Sequence, residues 1–300
     1  MKKLDERIPF VLTVLKGIGQ IMLQENEWTG LLFLVGIFYG DVNMGMAALV
    51  ATITGTLTAS LLHFDKREIE SGLYGFSPAL VGVALTFMFD ANWLVWVLVI
   101  VGAAAAAMLQ HFFIERKLPV FTFPFIVVTW LIVFTLHHYT AIPPSPSLAA
   151  PPVIDVSDTS DFTTSTNGFG EVIFQGSFFA GILFFIAVFL SNPTAALYGL
   201  AGSILAAAIS ARFVQPVVEV RMGLFSFNAV LCAITFAGTR RRDGLVVLIA
   251  VVAATLIDIF MLKSDSSLLT KAGGVLTFPF VLGAWLTLPL KNMLNKAWKS

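Results

Sequence analysis

The sequence predicts an all-α protein that crosses a membrane many times, and three observations predict it. Of 300 residues, 57% are hydrophobic and 12% charged, mean hydropathy is +0.88, and 28 residues are phenylalanine. A soluble domain of this length has too little interior to enclose so many apolar side chains, so most must meet lipid or other helices. Apolar stretches close to membrane length follow one another, for example 93–113 and 244–262. The start, MKKLDERIPF, is polar and no A-x-A site follows a short apolar core, so no cleavable signal peptide is expected.

The chain repeats itself. A shift of 151 positions lays VIFQGSFFAG (172–181) on IMLQENEWTG (21–30), so Gln24 meets Gln175 and Gly30 meets Gly181. The same shift lays GLFSFNAVL (223–231) on GLYGFSPAL (72–80) and Glu219 on Glu68. The tetrapeptide Thr-Phe-Pro-Phe occurs at 122–125 and again at 277–280, a shift of 155. Apolar segments match by chance at leucine; glycine, glutamine and proline in one register point to a duplication. The first repeat is expected over 1–136 and the second over 171–300. Between them, 137–170 is rich in proline, serine, threonine and aspartate, has no helix period, and reads as a polar connector.

Basic residues set the orientation. No Lys or Arg lies between Lys117 and Arg212, which places the connector outside. Lys2, Lys3 and Arg7 place the N-terminus in the cytoplasm, and Lys291, Lys296 and Lys299 place the C-terminus there too. Each half then needs an odd number of crossings. Five fit: 18–40, 44–62, 72–89, 93–113 and 118–136, followed by 171–190, 195–211, 222–238, 244–262 and 273–290. Two halves of five crossings are inverted relative to one another, and inverted repeats place a pathway along their interface near the bilayer midplane.

Both LPVFTFPF (118–125) and GGVLTFPF (273–280) interrupt an apolar run. Pro124 lacks an N–H and disfavours helix at Phe123, so the chain is expected to turn near Thr122 and restart as helix, with Thr122 as its cap. Irregular backbone persists in lipid only where protein or a water-filled path surrounds it. Two such breaks related by inversion point to a shared central site offering the hydroxyls of Thr122 and Thr277. Phe76 and Leu80, four apart, share a helix face, as do Phe227 and Leu231. Alone such a face is ordinary helix packing; beside a polar break, found twice, the alternative is a flat apolar slot.

Other residues carry plainer readings. Cys232 lies in an apolar run and reads as a small buried hydrophobe. Asp258 has no partner in the 151 register and is expected to be paired, or exposed near the outer end of its helix beside Lys263. Glu68 and Glu219 read as loop anchors, and His137 and His138 as surface residues. NPTA (192–195) faces DVNM in the other half and reads as a helix-start proline. Zinc spacing, H-E-x-x-H, a P-loop and G-x-S-x-G are absent, and zero net charge argues against nucleic acid. No enzyme activity, metal or cofactor is expected.

The combination of L-P-x-x-T-x-P-F, G-L-Y-G-F before L-V-G, and a glutamine near the start of each half resembles the urea transporter family over nearly the whole chain. The resemblance implies a bacterial urea channel: ten spanning helices, a half-spanning pore helix in each repeat, and a homotrimer in the inner membrane with one pore per subunit. The glycine-rich stretches 72–82 and 223–233 are the candidates for those half-helices. Carried over residue by residue, the central threonines fall on Thr122 and Thr277, and the slots on Phe76, Leu80, Phe227 and Leu231. The polar heads of the two halves fall on Gln20 and Glu171, with Leu23 and Phe174 three residues later. Leu23 stands where an aromatic is common, and Gly274 faces Pro119. Urea is flat, uncharged and rich in N–H donors, so a path must replace its water with acceptors at close intervals. No paired proton relay is present, which implies passive flow. Rival readings are a channel or transporter for another small neutral solute (a short amide, ammonia or water), a membrane-embedded enzyme, and a non-transporting receptor.

Overall fold

The computed structural model describes residues 7–149, 161–214, 217–264 and 267–297. Among them the chain is helical; no strand occurs, and Phe89 and Pro144 form an isolated bridge. The helices gather into two compact units, Met1–Pro152 with Ser267–Gly274, and Val153–Ser266 with Val275–Ser300.

The first unit opens with α1 (Arg7–Gly19), a 3-10 turn (Gln20–Met22) and α2 (Glu27–Gly40). The stretch 18–40, expected as one crossing, is therefore two helices joined by a break. Leu23 takes a left-handed φ of 58°, its N–H bonds Gln20 O at 3.0 Å, and the Gln24 N–H bonds Gly19 O at 3.2 Å. This pattern gives partners to the carbonyls that a helix end leaves open. Asn26 then starts α2 by accepting from the Thr29 N–H at 3.0 Å. Ile21, Met22 and Leu23 keep the run apolar, so hydropathy alone passes over the break.

The unit continues with α3 (Val42–Leu61), α4 (Lys66–Glu70), α5 (Phe76–Met88), α6 (Trp93–Glu115), α7 (Phe123–Tyr139) and α8 (Pro146–Ala149). Asp41 caps α3 through the Met44 N–H at 3.0 Å, and Asn92 caps α6 through Leu94 and Val95. Along α3 the hydroxyls of Thr52, Thr54 and Thr58 each bond the carbonyl four residues earlier, which satisfies them without water. Ala47, Ala48, Ala51 and Ala59 are buried on α3, and Ala103, Ala106 and Ala107 on α6, letting these helices pack closely with α5.

The second unit holds α9 (Asp161–Glu171), α10 (Phe178–Ser191), α11 (Pro193–Phe213), α12 (Val217–Arg221), α13 (Phe227–Phe236) and α14 (Arg241–Lys263). Then come α15 (Ser267–Lys271), which belongs to the first unit, and α16 (Phe278–Ala297) in the second. Residues 161–171 form a helix where composition shows no helix period, and 150–160 of the connector lie outside the described residues. The expected crossing 171–190 is again broken: Phe174 has φ 57°, its N–H bonds Glu171 O at 3.1 Å, and Ser177 caps α10. Asn192 caps α11 through the Ala195 N–H at 3.0 Å with Pro193 in the first turn, so NPTA is a helix start.

Among the described residues, α3, α6, α11 and α14 are long and apolar enough to cross a membrane, at 20, 23, 21 and 23 residues. By contrast α5 has 13 residues and α13 has 10. At about 1.5 Å per residue these reach about 20 Å and about 15 Å, against about 30 Å of hydrocarbon. The expected crossings 72–89 and 222–238 are thus short helices, each entered through a tight turn. Gly72 (φ 82°) and Gly223 (φ 92°) make those turns possible. A Cβ at Gly72 would fall on the Gly17 backbone nitrogen, and one at Gly223 would sit 2.7 Å from the Gly168 nitrogen.

The exposed side chains are largely apolar: Val97, Ile100, Val101 and Met108 on α6, Leu197 and Ile204 on α11, Leu245, Leu248 and Leu256 on α14. With the apolar helices, this surface identifies an all-helical protein embedded in a membrane.

Candidate functional site

Five of the ten expected site residues belong to the first unit. Gln20 stands at the end of α1, half-buried, and its Nε2 donates to Ser71 O at 3.0 Å. That bond ties the α1–α2 break to the turn that launches α5. Leu23, at the left-handed position of the break, is 39% exposed. Phe76 is the first residue of α5 and Leu80 lies one turn on; both are buried, Leu80 completely. Helix α5 packs against α3, α6, α7 and the 3-10 turn, so it joins the elements that carry Gln20 and Thr122.

Thr122 lies just ahead of α7 and is buried, after Phe121 at a left-handed φ of 47°. The Phe123 N–H bonds Val120 O at 3.1 Å and the Ile126 N–H bonds Thr122 O at 3.2 Å. Pro124 stands in the first turn, as its missing N–H requires. The expected capping role is corrected: Thr122 occupies the cap position, but its side chain makes no capping bond.

The second unit presents the other five in the same local settings. Glu171 ends α9 and is half-buried, and Phe174 holds the left-handed position of the α9–α10 break. Phe227 begins α13, with Leu231 one turn on and fully buried. Thr277 is buried and precedes α16; Leu276 before it has φ 50°, Phe278 N–H bonds Val275 O at 3.1 Å, and Val281 N–H bonds Thr277 O at 3.2 Å. Helix α13 packs against α9, α11, α14 and α16.

Sequence reasoning missed a buried polar pair beneath each short helix. In the first unit Ser77 Oγ donates to Gln110 Oε1 at 3.2 Å. In the second, Asn228 Nδ2 donates to Asp258 Oδ2 at 3.2 Å. Of the two expectations for Asp258, pairing holds and exposure beside Lys263 does not: it is wholly buried against α13. Nor does it lack a counterpart. Gln110 and Asp258 each stand five residues before the last residue of a 23-residue helix, Glu115 and Lys263. The 151 register sets Asp258 against Ala107 because these two helices begin three positions off it.

The remaining residues fall as their surroundings dictate. Glu68 Oε2 accepts from the Tyr74 hydroxyl at 2.5 Å, anchoring the turn before α5. His137 and His138 are exposed, with His137 Nδ1 2.8 Å from Lys271 O. Cys232 is buried with its Sγ toward Phe280 O.

Residues 11–292 match the model of a protein family described as urea transporter. The chain is 28% identical over 313 residues to urea transporter 1 of Capra hircus, covering 100% of this chain and 82% of that one, and the same figures hold for Ovis aries. Urea transporter 1 of Rattus norvegicus is 28% identical over 244 residues, 77% of this chain and 64% of that one. These relatives are mammalian. A family match spanning nearly the whole chain, on a helical membrane fold whose breaks fall at the motif residues, leads to one conclusion: the chain belongs to the urea transporter family.

Proposed function

We propose that the protein passes urea down its concentration gradient, as a channel, along a path lined by two inverted repeats. The observation that carries this reading is the doubled break. Phe121–Thr122 and Leu276–Thr277 have matching left-handed backbone, matching flanking bonds and a matching proline, in a chain of a urea transporter family. Such backbone lies in apolar surroundings only where something polar repays it.

The residues suit the solute. Losing water from an unpaired polar group costs about 2–7 kcal/mol, and urea has several N–H groups to re-pair. Thr122 and Thr277 carry hydroxyl oxygens that can accept from them. Gln20 and Glu171 take the N–H groups of urea at the two mouths. Phe76, Leu80, Phe227 and Leu231, with Leu23 and Phe174 beyond them, wall a slot that admits a planar solute. Those walls leave a hydrated ion without coordination.

In this reading the first repeat covers 1–136 and the second runs from α9, the counterpart of α1, to 300, with the rest of the connector outside. Each has five crossings and one half-spanning helix, α5 or α13, and both chain ends lie in the cytoplasm. The protein is a homotrimer of the bacterial inner membrane with one pore per subunit. Support comes from the matched order of helices in the two units and from the basic residues at both ends of the sequence.

Stopped-flow light scattering on proteoliposomes tests the reading. Urea entry is expected to be fast, weakly saturable and indifferent to proton or sodium gradients. Flux that requires either gradient refutes passive conduction. Permeation of thiourea, ammonia or water faster than urea would favour another neutral solute. Crosslinking in native membranes reads the trimer.

A further inference from the structure

Asn228 is the second residue of α13 and has no exposed surface. Its side chain joins three elements. Nδ2 donates to Asp258 Oδ2 on α14 at 3.2 Å and lies 3.4 Å from Leu276 O, while Oδ1 accepts from the Phe280 N–H at 3.1 Å. Leu276 and Phe280 bracket Thr277. The Phe280 N–H belongs to the first turn of α16, where N–H groups find no acceptor within their own helix. Asn228 supplies that acceptor from a different helix.

The amide can sit only one way round. Turned over, Oδ1 would face the Asp258 carboxyl oxygen and the Leu276 carbonyl, and Nδ2 would face the Phe280 N–H. Two acceptor–acceptor meetings and one donor–donor meeting forbid it. Asp258 thus joins Leu276 O and the Phe280 N–H in fixing which end of Asn228 meets the break. Its other oxygen, Oδ1, is buried with no hydrogen-bond partner among the described residues. A buried carboxyl group is costly, so burying this one with half its capacity unused is poorly explained by packing alone.

We infer that Asn228 and Asp258 are a positioning pair for the urea path: Asp258 orients the Asn228 amide, and the amide holds Leu276 O and Phe280 N so that Thr277 is presented correctly. The inference rests on the proposed place of Thr277 in the path. The first unit has Ser77 with Gln110 at the corresponding places, a pair of different chemistry.

The test uses the full-length protein in proteoliposomes, measuring maximal urea flux, half-saturation and the urea-to-thiourea ratio. Asp258→Leu and Asn228→Leu are expected to lower urea flux about tenfold, through lost hydrogen bonds, to raise half-saturation and to compress the ratio. Asp258→Asn keeps an acceptor for Asn228 and is expected to stay within about twofold of wild type. The double variant should be no worse than Asn228→Leu alone, because both act through one contact. Should the leucine variants not purify folded, Asn228→Ser decides: the residue found at the matching place in the first unit is too short to bridge, and the same losses are expected. Wild-type flux, half-saturation and ratio in Asp258→Leu or Asn228→Ser, alongside loss of flux in Thr277→Val, overturn the pair and leave the path standing. Wild-type flux in Thr277→Val removes Thr277 from the path and overturns this inference with it.

Discussion

Gln24 and Gln175 make the same bond in two different units. Each is buried in a helix break, and each side-chain amide donates to the carbonyl two residues earlier, Met22 O at 2.8 Å and Ile173 O at 3.3 Å. Each backbone N–H also reaches back to a glycine carbonyl, Gly19 or Gly170. The break is thereby closed by its own polar groups, as a segment shielded from water requires.

Replacing Gln24 or Gln175 by leucine leaves a buried carbonyl without that donor. A loss of about 1–3 kcal/mol in stability is expected for each, read as a lower melting temperature in detergent. Equal melting of variant and wild type would remove the brace from this account.

Thr122→Val and Thr277→Val keep the side-chain shape and delete an acceptor. Urea flux in proteoliposomes is expected to fall by about tenfold or more, since an unmatched urea N–H carries a desolvation cost. Retained flux in both variants takes the threonines out of the path.

Gly72→Ala and Gly274→Ala separate two costs of a side chain. Both glycines have left-handed φ, 82° and 86°, for which other residues are disfavoured by about 1–2 kcal/mol. A Cβ at Gly72 also meets the Gly17 backbone, whereas one at Gly274 has nothing within 4 Å. Gly72→Ala is expected to melt well below Gly274→Ala or to fail to fold. Equal destabilisation would show that the α1 contact is not tight.

The Cys232 thiol has no exposed surface. A maleimide reagent is expected to label it only after denaturation, as read by intact-protein mass spectrometry. Prompt labelling of folded protein would mean that α13 opens or that its surroundings admit water.

The sequence by itself determined the membrane class, the long helices α3, α6, α11 and α14, and the two shifts, 151 and 155, that join Gln24 to Gln175 and Thr122 to Thr277. Those features rest on composition and local chemistry: apolar length, a repeated motif, a proline that cannot donate. The family resemblance added 72–82 and 223–233 as candidate short-helix regions, within stretches first read as full crossings. Only the folded structure showed that the runs 18–40 and 171–190 also break, because Ile21, Met22 and Leu23 are as hydrophobic as the helices they separate. Only it paired Asp258 with Asn228 and matched that pair to Gln110 and Ser77. Helix starts drift by a few residues between the halves, and a buried hydrogen bond depends on which residues fold opposite one another, 30 or more positions apart in sequence.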